Sequence, residues 1–444
     1  MTPYLHRSTI IDPRPSGGSS GVTHSLSSLE RTVFADSTPV QFHGTIPLDL
    51  FLNLSLEGRT PVYHHGSALV CWGEVMAHRY IVGRTGQGKS SLIKQLIIDD
   101  MKAGHAVCFI DPHGTDTDDL LFHVPKKRLK DTVLFDLSDT QYVFQWNPLA
   151  ESDNVSLTST TLANAVKTSA GFAGSSTAQM SMFLEAIFTT LIQNNLPLSD
   201  ALTLLDNPSK TDSLILKRQV LKSFWDKYEK KTDRDRDAAN NSTYNKFFGL
   251  LIDERMEQLF SGTRSNIQMS DIVRDKIFFV RLAQGQLGVE RVSLVGSILL
   301  SVIHLACLRR SPETPFHLYI DEVHNFAAPT ITEMLSGLRK FNVSVTVAHQ
   351  NIDQLSPDLF SSLMGNVAHR HIFNVSPEDA LRFQTMLKAN ALHENLDELP
   401  PYRYRTFPWL PTDSDQSTFP LENPNLTMPE KIRRHTRNNY CRPR

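Results

Sequence analysis

Eight consecutive residues combine glycines, a lysine and a serine in an order suited to holding phosphate. The stretch Gly83-Arg84-Thr85-Gly86-Gln87-Gly88-Lys89-Ser90 fits the pattern G-x-x-x-x-G-K-[ST]. In this pattern backbone N–H groups surround phosphate oxygens, the lysine reaches the outer phosphates and the hydroxyl ligates Mg²⁺. We therefore expect ATP and Mg²⁺ as ligands, with contacts running from Gly83 through Ser91, Lys89 on the phosphates and Ser90 on the metal.

The residues around this loop are typical of a strand followed by a helix. Tyr80-Ile81-Val82 is apolar and precedes the loop, and apolar residues recur at helical spacing after it, up to a stop at Gly104. That order places a helix N-terminus against the phosphates, with its free N–H groups and the positive end of its dipole.

Two consecutive acids at the end of another apolar stretch supply the second half of the chemistry. Leu318-Tyr319-Ile320 is followed by Asp321 and Glu322. We expect Asp321 to hold Mg²⁺ through its water shell. Glu322 is placed to act as general base on an attacking water, which points to hydrolysis. Asp111, after a shorter apolar stretch, is either a rival metal ligand or a turn-former, and it lacks an adjacent base.

Three further candidates follow from their places on the predicted elements. Gln350 follows the strand pattern Val343–Val347 and is expected to orient the attacking water or sense the γ-phosphate. Arg339, at the end of the preceding helix, is either a surface residue that compensates the helix dipole or an arginine finger for a neighbouring subunit. The loop Gln284–Gly288 is either a pore element or an ordinary glycine turn.

Strand patterns alternate with helical patterns on both sides of a long, purely helical segment. Strands are predicted near residues 80–82, 105–110, 132–135, 276–280, 317–320, 343–347 and 372–375. A sheet that is interrupted and then resumed implies an α/β fold with a mostly parallel central sheet and an all-α insertion. The predicted nucleotide-binding domain comprises residues 41–146 and 276–390, and the inserted domain comprises residues 147–275. A disordered N-terminal arm is predicted at 1–40 and a Pro-rich, basic C-terminal tail at 391–444. The last residues, 431–444, are expected to be flexible.

The gross composition excludes several other classes of protein. The 444 residues are 40% hydrophobic with a net charge of −2, so any binding to nucleic acid must come from local patches. Four widely separated cysteines fit a reducing compartment and argue against a zinc site or a disulfide framework. The apolar stretch Val292–Leu308 is short for a bilayer crossing and is expected to be a buried core helix. We therefore expect a cytoplasmic protein with no intrinsic membrane span.

Four ordered blocks of this sequence resemble the type IV coupling proteins, which belong to the FtsK–HerA superfamily of DNA-pumping ATPases. The resemblance covers about residues 70 to 390, and its blocks are Ile81–Ser90, Phe109–Gly114, Tyr319–Phe326 and Ala348–Gln350. It implies a RecA-like core interrupted by an all-helical domain, as the patterns also indicate. It also implies a homo-oligomeric ring, a hexamer, and places the family's arginine finger at Arg339. Many coupling proteins begin with a membrane anchor, which we do not expect here.

Two functions follow from the resemblance. The first is an ATP-hydrolysing DNA translocase that moves DNA through a central pore with weak sequence preference, as part of secretion or mobile-element machinery. The alternative is a secretion or pilus-type ATPase of the same superfamily that acts on a protein substrate.

Overall fold

The computed structural model describes residues 76–169, 178–311, 314–387, 395–407, 416–418, 421 and 425–444, together with the backbone of five short strands before residue 72. The chain divides into two compact units. One comprises Met1–Ala77 and Phe407–Ser414, and the other comprises His78–Thr406 and Asp415–Arg444.

The first unit contains five short strands in two antiparallel sheets. They are β1 (Thr23–Ser25), β2 (Thr32–Phe34), β3 (Thr45–Pro47), β4 (Pro61–His65) and β5 (Ala68–Cys71). β1 pairs with β3, and β4 lies between β2 and β5. The disordered arm predicted for residues 1–40 lies outside the described residues, except for β1 and β2.

The second unit is organised around a nine-stranded sheet. Its strands are β6 (Arg79–Val82), β7 (Ala106–Asp111), β8 (Thr132–Asp136), β10 (Ile277–Arg281), β11 (Phe316–Ile320), β12 (Val343–His349), β13 (His369–Ile372), β14 (Arg403–Phe407) and β15 (Gln416–Ser417). The short strands β9 (Tyr142–Phe144) and β16 (Cys441–Pro443) form a separate antiparallel pair.

Within this sheet the order is β15-β14-β13-β6-β12-β11-β7-β10-β8, and the pairs from β13 to β8 are parallel. The central strands are buried along their whole length, as expected for parallel strands covered by helices on both faces. The predicted α/β class with a mostly parallel sheet is confirmed.

Fifteen helices occur in the described part of the second unit. They are α1 (Lys89–Ala103), α2 (Thr115–Leu121), α3 (Val155–Thr168), α4 (Ala178–Gln193), α5 (Asp200–Asp206), α6 (Gln219–Glu229), α7 (Asp233–Leu251), α8 (Glu254–Phe260), α9 (Met269–Asp275), α10 (Gln284–Leu287), α11 (Val289–Arg309), α12 (Ala328–Gly337), α13 (Pro357–Asn366), α14 (Pro377–Met386) and α15 (Met428–Tyr440). Short 3-10 turns join several of them. In the described residues between β9 and β10, helices α3 to α9 follow one another without an intervening strand, as the patterns of this segment predict. The predicted domain bounds themselves stay a prediction.

Helix α11 is the single helix in the described residues that is long and apolar enough to cross a membrane. Most of its apolar stretch is buried inside the protein instead, and Ser293, Ser297 and Ser301 on it are fully buried. The Ser297 hydroxyl accepts a hydrogen bond from the backbone N–H of Ala327 at 3.0 Å. This is the core helix that the sequence predicts, and it packs against the segment that follows the acid pair.

Gly296 on α11 makes room for the ring of Phe326. A Cβ atom at Gly296 would lie 2.2 Å from Phe326 Cε1 and 3.3 Å from Leu282 Cδ1. We expect Gly296→Ala to lower the free energy of unfolding by up to about 2 kcal/mol, because overpacking costs ~1–3 kcal/mol and the gain in helix propensity is ~1 kcal/mol. Urea denaturation measures the change. The matched control is Gly249→Ala on the exposed face of α7, where nothing lies within 4 Å. Equal stability of the two variants would contradict this packing argument.

The prediction of a flexible basic end at residues 431–444 is wrong. Helix α15 buries Met428 and Ile432 in the main core, and the strand β16 pairs with β9. The arginines are used inside the molecule: Arg433 pairs with Asp118 at 2.7 Å, and Arg437 pairs with Asp139 at 2.8 Å. The run of arginines made this end look solvent-exposed, because the acids that pair with them lie about 300 residues away in sequence. The apolar positions at helical spacing were overlooked for that reason.

Two errors concern the far edge of the sheet. The strand predicted at 372–375 is β13 at His369–Ile372, three residues earlier, because its polar residues give no apolar run. Strands β14 and β15 extend the sheet in the region where we expected only a Pro-rich tail. The alternation in Arg403-Tyr404-Arg405-Thr406-Phe407 is a strand signal that sequence reasoning missed.

Candidate active site

The predicted site residues meet because three of the strands that carry them are neighbours. β6 leads into the glycine-rich loop, β11 leads into Asp321 and Glu322, and β12 leads into Gln350, and β12 lies between the other two. All three strands are parallel, so their carboxyl ends open at one edge of the sheet, where ligands bind in open α/β folds. A buried hydrogen bond of 2.7 Å between the Tyr80 hydroxyl and His349 Nε2 joins β6 to β12 just before the site.

The loop adopts a backbone that only glycine tolerates well at two positions. Gly86 has φ 77° and Gly88 has φ 106°, both left-handed. Gly88 precedes the first residue of α1, so the N–H groups of the first turn face the loop. The Lys89 ammonium donates hydrogen bonds to the carbonyls of Gly83 at 2.6 Å and Arg84 at 3.0 Å. Burial lowers the pKa of Lys89, and the nearby Glu322 and Asp321 pull this pKa back up.

Asp321 is buried close to other acidic residues of the site. Burial, the adjacent Glu322 and then Asp116 and Asp111 raise its pKa to about 8. A carboxylate at such a position gains from a cation, because a cation offsets both the desolvation and the repulsion between the acids. The donor set of a carboxylate with the Ser90 hydroxyl consists of oxygen ligands, which suit Mg²⁺. These residues therefore fit the expected metal.

Glu322 is connected to the phosphate loop by a chain of side-chain hydrogen bonds. The Gln350 amide donates to Glu322 Oε1 at 2.7 Å, and the Thr85 hydroxyl donates to Gln350 Oε1 at 3.0 Å. Glu322 itself has φ 45°, a left-handed conformation that is uncommon outside glycine. Its second oxygen, Oε2, is buried and has no hydrogen-bond partner among the described residues. The carboxylate is thus held by a hydrogen bond at one oxygen, while Oε2 accepts none within the described part of the chain and can take a proton.

Two contacts at the site were missed by sequence reasoning. His324 Nδ1 lies 3.4 Å from Glu322 Oε2, and burial lowers the pKa of this histidine against the pull of Glu322. Asn374, just after β13, binds Arg84: the Arg84 N–H donates to the Asn374 carbonyl at 2.8 Å, and the guanidinium donates to Asn374 Oδ1 at 3.3 Å. A polar residue after the carboxyl end of a strand is the one signal that could have identified Asn374.

Asp111 serves the turn before α2. Its carboxylate accepts backbone hydrogen bonds from His113 at 3.0 Å, Gly114 at 2.7 Å and Thr117 at 2.8 Å. Burial is the largest influence on its pKa, which is raised even with these hydrogen bonds. Of the two readings that the sequence left open for Asp111, the geometry favours the turn-former. The glycine loop 284–288 forms the single-turn helix α10, which follows Ala283 in a left-handed conformation.

Arg339 is distant from the site of its own chain. It lies in the 3-10 turn Leu338–Phe341 before β12, while Gln350 follows the end of that seven-residue strand. The neighbouring group is His78, which precedes β6: burial and then Arg339 lower the pKa of His78 to about 4. Arg339 is therefore an exposed residue at the amino edge of the sheet, opposite to the acids.

The sheet order, the glycine-rich loop and the acid pair at one edge define the class of the protein, a P-loop NTPase with a RecA-like core. The sequence pattern of one family, the type IV secretion-system coupling protein DNA-binding domain, matches residues 62–391. The chain belongs to this family.

Solved structures of low sequence identity share the fold. The bacterial conjugative coupling protein TrwBdeltaN70, in its unbound monoclinic form, has a TM-score of 0.53 at 15% identity, covering 76% of this chain and 83% of its own. The plasmid coupling protein TrwB in complex with ADP and Mg²⁺ has a TM-score of 0.52 at 17% identity, with coverages of 76% and 84%. VirB4 of Thermoanaerobacter pseudethanolicus has a TM-score of 0.51 at 14% identity, with coverages of 82% and 96%. No curated protein matches the chain.

Proposed function

We propose that this chain is an ATP-hydrolysing DNA translocase that works as a ring in a secretion or mobile-element system, on the cytoplasmic side. The observation that carries the proposal is the hydrogen-bonded series from Thr85 through Gln350 to Glu322, which joins the phosphate loop to the acid pair. The description of the matching family as a DNA-binding domain supports DNA as the substrate. That TrwB has been solved with ADP and Mg²⁺ supports ATP and Mg²⁺ as ligands here.

The residues divide the work by position. Backbone N–H groups from Gly83 to Ser91 hold the phosphates, and Lys89 turns from the loop carbonyls to the outer phosphates. Ser90 and Asp321 would hold Mg²⁺, which neutralises charge on the phosphate oxygens. Gln350 orients a water molecule through its amide. Glu322 takes the proton from that water with its oxygen Oε2, while the water oxygen bonds to the γ-phosphorus and the bond from that phosphorus to the β–γ bridging oxygen breaks, so that ADP leaves.

The position of Arg339 supports a ring. An exposed arginine at the amino edge of the sheet is remote from the phosphates of its own chain, so it acts as a finger only on a neighbouring subunit. The ring, a hexamer as in the family resemblance, encloses the DNA, and contacts to the DNA backbone give weak sequence preference. The basic C-terminal helix is an unsuitable DNA contact, because Arg433 and Arg437 are paired with acids of the core.

The rate of ATP hydrolysis, measured against DNA concentration at several salt concentrations, tests this function. We expect DNA of unrelated sequences to stimulate hydrolysis, and the stimulation to fall as salt rises, because counterion release drives binding to the DNA backbone. Hydrolysis that no DNA stimulates at any salt concentration would reject the translocase. It would favour the secretion or pilus-type ATPase acting on a protein substrate, particularly if a salt titration also detects no DNA binding.

Arg339→Ala should behave as a defect at the subunit interface. We expect turnover about 10³-fold or more below wild type in rings of the variant alone, the range of an arginine finger, with ATP affinity per subunit preserved. Mixing Arg339→Ala subunits with Lys89→Ala subunits should restore part of the activity, since each supplies what the other lacks. Lys340→Ala, next in the same 3-10 turn, is the matched control and should keep most activity. Full activity of a strictly monomeric preparation would exclude this role of Arg339.

A further inference from the structure

A segment near the C-terminus lies directly across the phosphate loop. The backbone N–H of Tyr402 donates to the Gln87 carbonyl at 2.8 Å, and the Thr418 N–H donates to the Tyr402 carbonyl at 3.0 Å. A Cβ atom at Gly88 would lie 2.8 Å from the Tyr402 ring and 2.9 Å from the Thr418 methyl group. The Tyr402 ring therefore lies against Gly88, the residue just before the phosphate-binding helix.

This segment, residues 395–403, is held in place by the Asn374 side chain, and we call it the strap. The Asn374 amide donates to the carbonyls of Asp397 and Leu399, both at 2.9 Å. Leu396 and Leu399 are buried. Asn374 also binds Arg84 of the loop, so one side chain fastens the strap and the loop together.

Tyr402 combines exposure with an unfavourable backbone conformation. Its φ is 64°, in the left-handed region that costs a residue with a side chain about 1–2 kcal/mol. The residue is 38% exposed although it touches the loop. An aromatic side chain that stays partly exposed in a strained backbone position has no evident role in stability, and strain of this kind clusters at ligand sites.

The sheet order indicates which end of a nucleotide would lie beside Tyr402. Asp321, Glu322 and Gln350 follow β11 and β12, on one side of the loop strand β6, and these residues face the γ-phosphate in the proposed mechanism. Tyr402 precedes β14, on the other side of β6, beyond β13. A triphosphate chain that points its γ end toward β12 leaves its nucleoside end toward the strap.

We infer that Tyr402 forms the nucleoside subsite of this protein, with its ring stacked on the base of the bound nucleoside triphosphate. This inference rests on the proposed nucleotide site. Stacking uses the π face that every base has, so the subsite binds the base of a nucleoside triphosphate without distinguishing adenine from guanine. It contributes binding affinity, while the loop and the acids carry the reaction.

Competition of ATP, GTP and inorganic tripolyphosphate for a fluorescent nucleotide on the full chain tests the inference. We expect Tyr402→Leu, which keeps bulk against Gly88 but removes the ring, to weaken ATP and GTP by about 10- to 100-fold. Tripolyphosphate, which lacks a base, should bind the variant as it binds wild type. Tyr402→Phe is the matched control that retains the ring and should keep wild-type affinities.

Other outcomes overturn the inference. If Tyr402→Leu weakens the binding of tripolyphosphate as much as that of ATP, the strap supports the conformation of the loop and the Tyr402 ring does not contact the base. If it weakens neither, Tyr402 lies outside the nucleotide site. Thermal unfolding of each variant identifies a loss of fold. If Tyr402→Leu does not fold, Tyr402→His, which has a smaller aromatic ring, replaces it. That variant should retain a measurable preference for ATP over tripolyphosphate. This binding assay contains no DNA, so failure of the translocase proposal would show separately, as hydrolysis without DNA stimulation.

Discussion

Replacing Glu322 with glutamine is expected to lower ATP turnover by about 10²–10⁴-fold while the protein still binds ATP. Glutamine has nearly the same size as glutamate, and its carbonyl can accept the hydrogen bond that Gln350 donates at 2.7 Å, so the link to Thr85 is preserved. What is lost is the ability of Oε2 to take a proton.

Mg²⁺ binding should not suffer in this variant. After burial, Glu322 is the largest influence that raises the pKa of Asp321 to about 8. A neutral glutamine removes that repulsion, so Asp321 loses its proton at lower pH and its carboxylate stays in place for the cation. The expected signature is therefore trapped nucleotide, measured as ATP retained on the protein after gel filtration beside the rate of phosphate release.

Glu333→Gln is the control for the loss of a carboxylate. Glu333 lies on α12, a helix after the acid pair, and its side chain is 62% exposed. This variant should turn over ATP at the wild-type rate. A wild-type rate of hydrolysis in Glu322→Gln would show that Glu322 is not the base.

Lys89→Ala is expected to abolish most nucleotide binding. The ammonium is buried and lies within the influence of both acids, so it is the positive group that offsets phosphate charge at the loop. A hydrogen bond to a charged group contributes about 1.5–3 kcal/mol, which corresponds to a loss of about 10- to 150-fold in affinity. Loss of one preorganised electrostatic donor lowers the rate of the bound fraction by a further ~10²–10³-fold.

Isothermal titration with ATP and Mg²⁺, and phosphate release at saturating ATP, measure these two effects. The control is Lys102→Ala, in the last turn of the same helix α1 and exposed to solvent. It removes the same charge at the other end of the helix and should leave both quantities near wild type. If Lys89→Ala binds and hydrolyses ATP normally, the loop does not hold the phosphates in the proposed way.

The candidate site was predictable where its signal is short and continuous in sequence. The loop from Gly83 to Ser90 and the pair Asp321-Glu322 each follow an apolar strand, and parallel strands open their carboxyl ends at one edge, so their meeting could be expected. Asp111 was ambiguous because the same strand-end position suits a metal ligand and a turn. Only the three backbone N–H groups bound to its carboxylate distinguish them.

Long-range contacts were beyond prediction. Asn374 bound to Arg84, Tyr402 against Gly88 and Arg433 paired with Asp118 each join residues more than 280 positions apart. No local pattern marks such partners, because their interaction depends on which strands become neighbours. The flexible tail was a mistaken prediction for the same reason: a run of arginines resembles a solvated end until the acids that neutralise it are known.

The sequence by itself determined the candidate chemistry of this protein: a phosphate-loop pattern and two adjacent acids, proposed as metal ligand and base, on an alternating α/β pattern with a long helical segment. These features are local, because backbone conformation and burial period are set by neighbouring residues. The tertiary structure decided how the chemistry is connected, through the chain from Thr85 to Glu322, the position of Arg339 at the opposite edge and the strap beside Gly88. Those arrangements depend on the packing order of the strands, which brings together residues that have no relation along the chain.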